Sequence, residues 1–242
     1  MRQAVRLLKG SALQIFRDQM LLLLCIAPFL VGAALRILVP LVDQLLIKYL
    51  SFSISPYYLI SDTLSLIMGA VLIGMMVGLL MLDERDDGIC TYYAVTPAGG
   101  FAYLISRLVL PFCYSLAANL AVISFAALGG LEYTWMFAPA ILSSCSGVMM
   151  SMLLVSIASN KVEGLAVSKL TGIILSGIPI TWFANSYLRL IGFLLPTYWI
   201  TDMLIQAEAG RITNYIIDLI LGMLCVSTWI AGLYRIFIRK IS

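Results

Sequence analysis

Four carboxylates and one guanidinium crowd into the run Asp83-Glu84-Arg85-Asp86-Asp87-Gly88. Carboxylates at this density could hold a divalent cation or do acid–base work. Arg85 in their midst opposes both, and charged runs at a helix end ordinarily face water. The chain has no histidine, which removes the commonest metal ligand and the commonest general acid–base group. It contains no G-x-S-x-G, no H-E-x-x-H and no Walker lysine loop. Its cysteines, Cys25, Cys90, Cys113, Cys145 and Cys225, lack C-x-x-C spacing and read as small packing residues. No catalytic, cofactor-binding or metal site is therefore expected in this chain, and an intramembrane enzyme is disfavoured.

The elements that carry the charged run follow from composition. Of 242 residues, 62% are hydrophobic and 11% charged, against about 25% charged in a soluble domain. So little polar surface cannot face water, and the apolar runs reach the ~20 residues that a helix needs to cross hydrocarbon. The reading is an all-α membrane protein with six transmembrane helices at about 20–41, 59–82, 97–128, 135–157, 165–185 and 215–234. Residues 1–19 space Val5, Leu8, Ala12, Ile15 and Phe16 among basic residues, as an interfacial amphipathic helix would. Simple positive flanking of the first span reads equally well there. No A-x-A-like site follows the first apolar run, so that span is expected to be retained. Pro28 and Pro40 should kink it. Residues 42–58 read as an outside loop, and Thr96-Pro97 as a helix start.

The stretch from Leu165 to Ile205 is apolar for twice the length of a span. It could be two spans, or one span followed by an apolar hairpin. Charge decides. With six spans, Arg2, Arg6, Lys9, Arg17, Arg85, Arg107, Lys161, Lys169, Arg235, Arg239 and Lys240 lie inside, while Lys48, Arg189 and Arg211 lie outside. A seventh span would carry the last three inside residues across, against the positive-inside rule. An outer re-entrant segment at about 186–208 is therefore expected, with both termini cytoplasmic in an inner or plasma membrane.

With no nucleotide-binding motif, any ATP-driven work must draw on another polypeptide through an inside loop. The longest is 83–100. Here Leu82-Asp83-Glu84-Arg85-Asp86-Asp87-Gly88, followed by Ala94-Val95-Thr96-Pro97, resembles the E-R-x-x-G … V-T-P stretch of type-two ABC transporter permeases. Leu195-Pro196-Thr197-Tyr198-Trp199 is similar to that family's proline–aromatic stretch before the last span. The resemblance covers nearly the whole chain. It implies the permease subunit of an exporter. A second permease chain, identical or related, would pair with it, and two cytoplasmic ATPase chains would hold the ATP and Mg. Glu84, Arg85, Gly88, Thr96 and Pro97 match the motif of the ATPase-coupling loop. Asp86 and Asp87 make the loop more acidic than the usual pattern.

Small residues mark two further spans. Gly69, Gly74 and Gly78 on the second, and Gly172 and Ser176 on the fifth, let helices approach closely. Packing within one subunit explains them, and so does a face on the dimer axis or export path, as the resemblance implies for these spans. The two spans carry no charge except Asp62 and Lys169 near their ends, so an apolar or amphiphilic cargo is expected: drug, peptide or lipid-like. Arg36 is either an interfacial anchor or the partner of Asp62 in a structural ion pair. A membrane scaffold or sensor that holds a soluble partner through 83–100 is the alternative function. Nucleic acid is not an expected partner.

Overall fold

The computed structural model describes residues 18–88 and 99–241. The expected amphipathic helix, apart from its last two residues, lies outside them, as do Cys90, Thr96 and Pro97. Among the described residues the chain is helical without strands: α1 (Gln19–Leu50), α2 (Tyr58–Asp86), α3 (Gly99–Ala126), α4 (Tyr133–Ile157), α5 (Lys161–Val167), α6 (Thr171–Leu175), α7 (Gly177–Phe183), α8 (Ser186–Gly192), α9 (Pro196–Glu208) and α10 (Ile212–Ile241). Among the described residues, six crossings are long and apolar enough to span a membrane: α1 to α4, the α5–α6–α7 series over 161–183, and α10. Within their apolar windows the second and fourth crossings are each 78% buried, against 11, 33, 33 and 22% for the others. The chain thus wraps four crossings around a central α2–α4 pair.

Glycines set the distance between that pair. A Cβ on Gly74 would strike the carbonyl of Gly147, and one on Gly147 would lie 2.6 Å from the Ala70 carbonyl oxygen. Gly78 faces Leu154 Cδ1 at 2.7 Å from the same kind of imagined atom, and Gly69 faces Asn119 Oδ1 of α3 at 2.6 Å. The second-span stripe is therefore closed by helices of its own chain. Gly172 has nothing within 4 Å, and Ser176 donates to its own helix at the Ile173 carbonyl.

The first crossing is longer than its sequence suggests. A helix was expected to stop near Leu41 before an outside loop, yet α1 continues through Pro40 to Leu50 and ends at Ser51 with φ 52°. Proline removes one hydrogen bond but leaves the helix free to resume. Asp43 is not a loop residue facing water. It is 7% exposed and accepts from Ser53 Oγ (3.1 Å), the Ile54 amide (2.7 Å) and Tyr58 Oη (2.7 Å). The returning chain is thereby tied to the helix.

The fifth crossing is broken. Pro179 lacks the amide that would bond the Leu175 carbonyl, and the helix restarts at Gly177. The segment 186–208 then folds back as α8 and α9. At its turn the Leu194 carbonyl accepts from Trp229 Nε1 at 2.8 Å and Cys225 Sγ at 3.5 Å, level with the middle of α10. Phe193 stacks on Trp199 at 5.3 Å with Tyr198 edge-on. The hairpin tip is thus anchored by aromatic packing and by donors from the last crossing.

Candidate functional site

The last turn of α2 is the junction of one end of the bundle. Successive helix residues project about 100° apart, so Asp83, Glu84, Arg85 and Asp86 point in four directions. Glu84 points inward, 2% exposed, and meets Arg107 of α3, 3% exposed. Arg107 Nε donates to Glu84 Oε2 at 3.0 Å, and its Nη2 donates to Oε1. This two-pronged fork matches guanidinium to carboxylate geometry.

On the other side α2 grips the turn between α4 and α5. Arg85 Nη1 donates to the Ala158 carbonyl at 3.0 Å, and Asp86 Oδ2 accepts the Lys161 amide at 3.2 Å. Asp83 Oδ2 accepts from Lys161 Nζ at 2.7 Å. The same ammonium donates to Asp18 Oδ2 at 2.6 Å. Asp18 is the N-cap of α1, where its Oδ1 accepts the Met20 amide at 2.8 Å. The turn itself is set locally: Asn160 Oδ1 caps the Glu163 amide at 2.8 Å, and Glu163 reaches back to the Ser159 amide at 2.7 Å, in the manner of a capping box.

Of the loop residues singled out in the sequence that the structure describes, only Asp86, Asp87 and Gly88 are exposed. Gly88 sits at φ +72°, a conformation that favours glycine. Glu84 and Arg85 were expected as docking contacts. Instead Glu84 is interior and Arg85 holds a backbone carbonyl, because the helix continues to Asp86 and turns both side chains toward neighbouring elements. Arg107 and Lys161 entered the sequence reading only as positive charges. For Lys161 position gave a faint signal, since it directly follows the turn after the fourth crossing; Arg107 carried none.

The opposite end corrects a second expectation. Arg36 and Asp62 form no ion pair with each other. Arg36 Nη1 donates to the Ala127 carbonyl at 2.8 Å, while Asp62 Oδ1 and Oδ2 accept the amides of Leu128 and Gly129 at 2.8 and 2.7 Å. Both side chains spend their bonding capacity on the turn between α3 and α4.

Residues 11–234 match the family model described as Rv2686c-like, fluoroquinolones export permease protein Rv2686c-like. Two relatives are the fluoroquinolones export permease proteins MT2760 and Rv2686c of Mycobacterium tuberculosis, strains CDC 1551 / Oshkosh and ATCC 25618 / H37Rv. Each is 28% identical over 195 residues, covering 76% of this chain and 74% of its own. No solved structure matches the chain at a significant level.

Proposed function

The chain belongs to the Rv2686c-like family of fluoroquinolones export permeases, and from that premise we propose that it is the membrane subunit of an ATP-driven exporter. Its energy comes from separate ATPase chains, which hold the ATP and Mg and dock at the exposed acidic tip that ends α2, Asp86-Asp87-Gly88. That end faces the cytoplasm, as the distribution of basic residues favours. The cargo is an apolar or amphiphilic molecule of the kind named for the relatives, a flat aromatic fluoroquinolone.

The observation that carries this reading is the junction itself. An exposed acidic tip, Asp86-Asp87-Gly88, continues directly into a turn bonded to three other crossings. A partner that moves the tip has a mechanical route into the bundle. A second permease chain would complete the export path along the fifth crossing, where Gly172 is open and Ile173 is 62% exposed.

The test is ATP-dependent uptake of a fluoroquinolone into inverted vesicles holding the permease and its candidate ATPase. Uptake that needs both chains supports the reading. A stable complex that moves no cargo would instead favour the scaffold reading.

A further inference from the structure

The junction contains two joints of different kinds. The Glu84–Arg107 fork is closed to water, with side chains 2 and 4% exposed. Separating such a pair strands a buried charge, which is strongly unfavourable. The Lys161 joint is different. Its side chain is 26% exposed, and those of its partners Asp18 and Asp83 are 28 and 27% exposed. Ion pairs that water can reach exchange at little net cost. One joint therefore fixes α2 to α3, and the other can open.

The exchangeable joint has an unusual composition. A single positive group serves two carboxylates, and an ammonium carries three donors that can be redistributed between them. Each of the three residues belongs to a different crossing: Asp18 caps α1, Asp83 ends α2, and Lys161 opens the fifth. The Lys161 amide is also held by Asp86, which is exposed beside Asp87 at the tip. Any cationic group of a docking partner that engages Asp86 acts on a residue already bonded to Lys161.

We infer that Lys161 is a positioning residue of the export cycle: it carries a displacement of the α2 tip to the first and fifth crossings. The inference rests on the exporter reading and adds the route by which the docking site acts. In one arrangement the ammonium joins both carboxylates, as in this structure. In the other it keeps one and releases the other, so that α1 or the fifth crossing moves relative to the fixed α2–α3 pair. A two-state element of this kind is what an energetic bias at one site needs in order to reach another.

The experiment uses the permease reconstituted with its ATPase, as wild type, Lys161→Met and Lys161→Arg. Methionine keeps the apolar stem and removes the charge; arginine restores the charge. Assembled complex, basal ATP hydrolysis and cargo exported per ATP are measured on each. Lys161→Met is expected to assemble and hydrolyse ATP at the wild-type basal rate, yet to export about tenfold less cargo per ATP, within the usual range of coupling energies. Lys161→Arg should recover most of the loss. Spin labels at Gln19 and Val162, both exposed, give a readout independent of transport. Their separation should change on adding a non-hydrolysable ATP analogue to the wild-type complex and stay constant with Lys161→Met. Wild-type coupling in Lys161→Met, or a distance change in it equal to that of the wild type, overturns the inference. So does a loss of assembly parallel to the loss of export, which marks a simple brace. A wild-type complex without cargo-stimulated hydrolysis overturns the exporter reading itself, and the inference with it.

Discussion

Arg107 closes a two-pronged fork on Glu84, and neither side chain is more than 4% exposed. The pair locks the end of α2 against α3 from inside the bundle. Glu84 is thus part of the frame that holds the tip, and a substitution there acts first on folding.

Breaking this fork from one side should be costly. Glu84→Met or Arg107→Met each leaves a buried charge, at about 3–5 kcal/mol. The double change Glu84→Met with Arg107→Met should cost clearly less than the two single changes added. Thermal unfolding in detergent, read as a double-mutant cycle, checks this. Strict additivity would show that the residues do not interact.

The glycines of the two small-residue stripes should respond oppositely. Gly74→Ala pushes a methyl into the Gly147 carbonyl, an overpacking that typically costs about 1–3 kcal/mol. Gly172→Ala meets nothing within 4 Å and should change stability by no more than about 1 kcal/mol, in the stabilising direction, through helix propensity. Size-exclusion profiles after graded heating separate the two. Equal losses at both positions would contradict the packing described.

Asp62 and Arg36 should differ sharply in what their loss does. Asp62→Ala leaves two amides, of Leu128 and Gly129, without their acceptors, and each unsatisfied buried group costs about 1–3 kcal/mol. Arg36→Ala removes one bond to the Ala127 carbonyl at an exposed site, worth about 1 kcal/mol or less. The melting temperature of Asp62→Ala should fall well below that of Arg36→Ala. Equal shifts would mean that the two residues act as one pair after all.

The Lys161 joint has a pH signature. The hydrogen bond from Lys161 to Asp18, aided by the Met20 and Leu21 amides, holds the Asp18 carboxyl below its ordinary value of 3.8 despite partial burial. A group whose folded value is depressed stabilises fully above its unfolded value and loses that contribution as pH falls through the folded one. The stability difference between wild type and Asp18→Asn should therefore be constant from neutral pH to about pH 4 and close at lower pH. Melting curves on both proteins across this range test it. A difference that grows on acidification would reverse the assignment.

Orientation is open to direct chemistry. A single cysteine placed at Ser242 in a cysteine-free variant should resist impermeant thiol reagents in intact cells and react once the cells are opened. Labelling from outside would place the charged end, and with it the proposed docking site, on the wrong side of the membrane.

The crossings were legible because bilayer thickness imposes a length on apolar runs that is visible in any one segment. That 186–208 forms no further long crossing was expected from the charge distribution, and the segment folds as the two short helices α8 and α9. Local signals failed where a breaker did not break: Pro40 and Asp43 lie inside α1, since one missing bond is tolerated and a carboxylate can be satisfied by the returning chain.

The sequence by itself determined the class of the protein, its six crossings and the presence of a charged turn after the second. Those follow from composition and periodicity, which are properties of each segment alone. Only the tertiary structure decided what the charges are for. Whether Glu84 faces a partner or Arg107 depends on the rotation of α2 against α3, and a shift of one residue would turn it by about 100°. That rotation is set by glycine contacts such as Gly69 on Asn119 of α3, made between residues far apart in the chain. The Lys161 joint likewise exists only once three helix ends have been brought within hydrogen-bond distance of a single ammonium group.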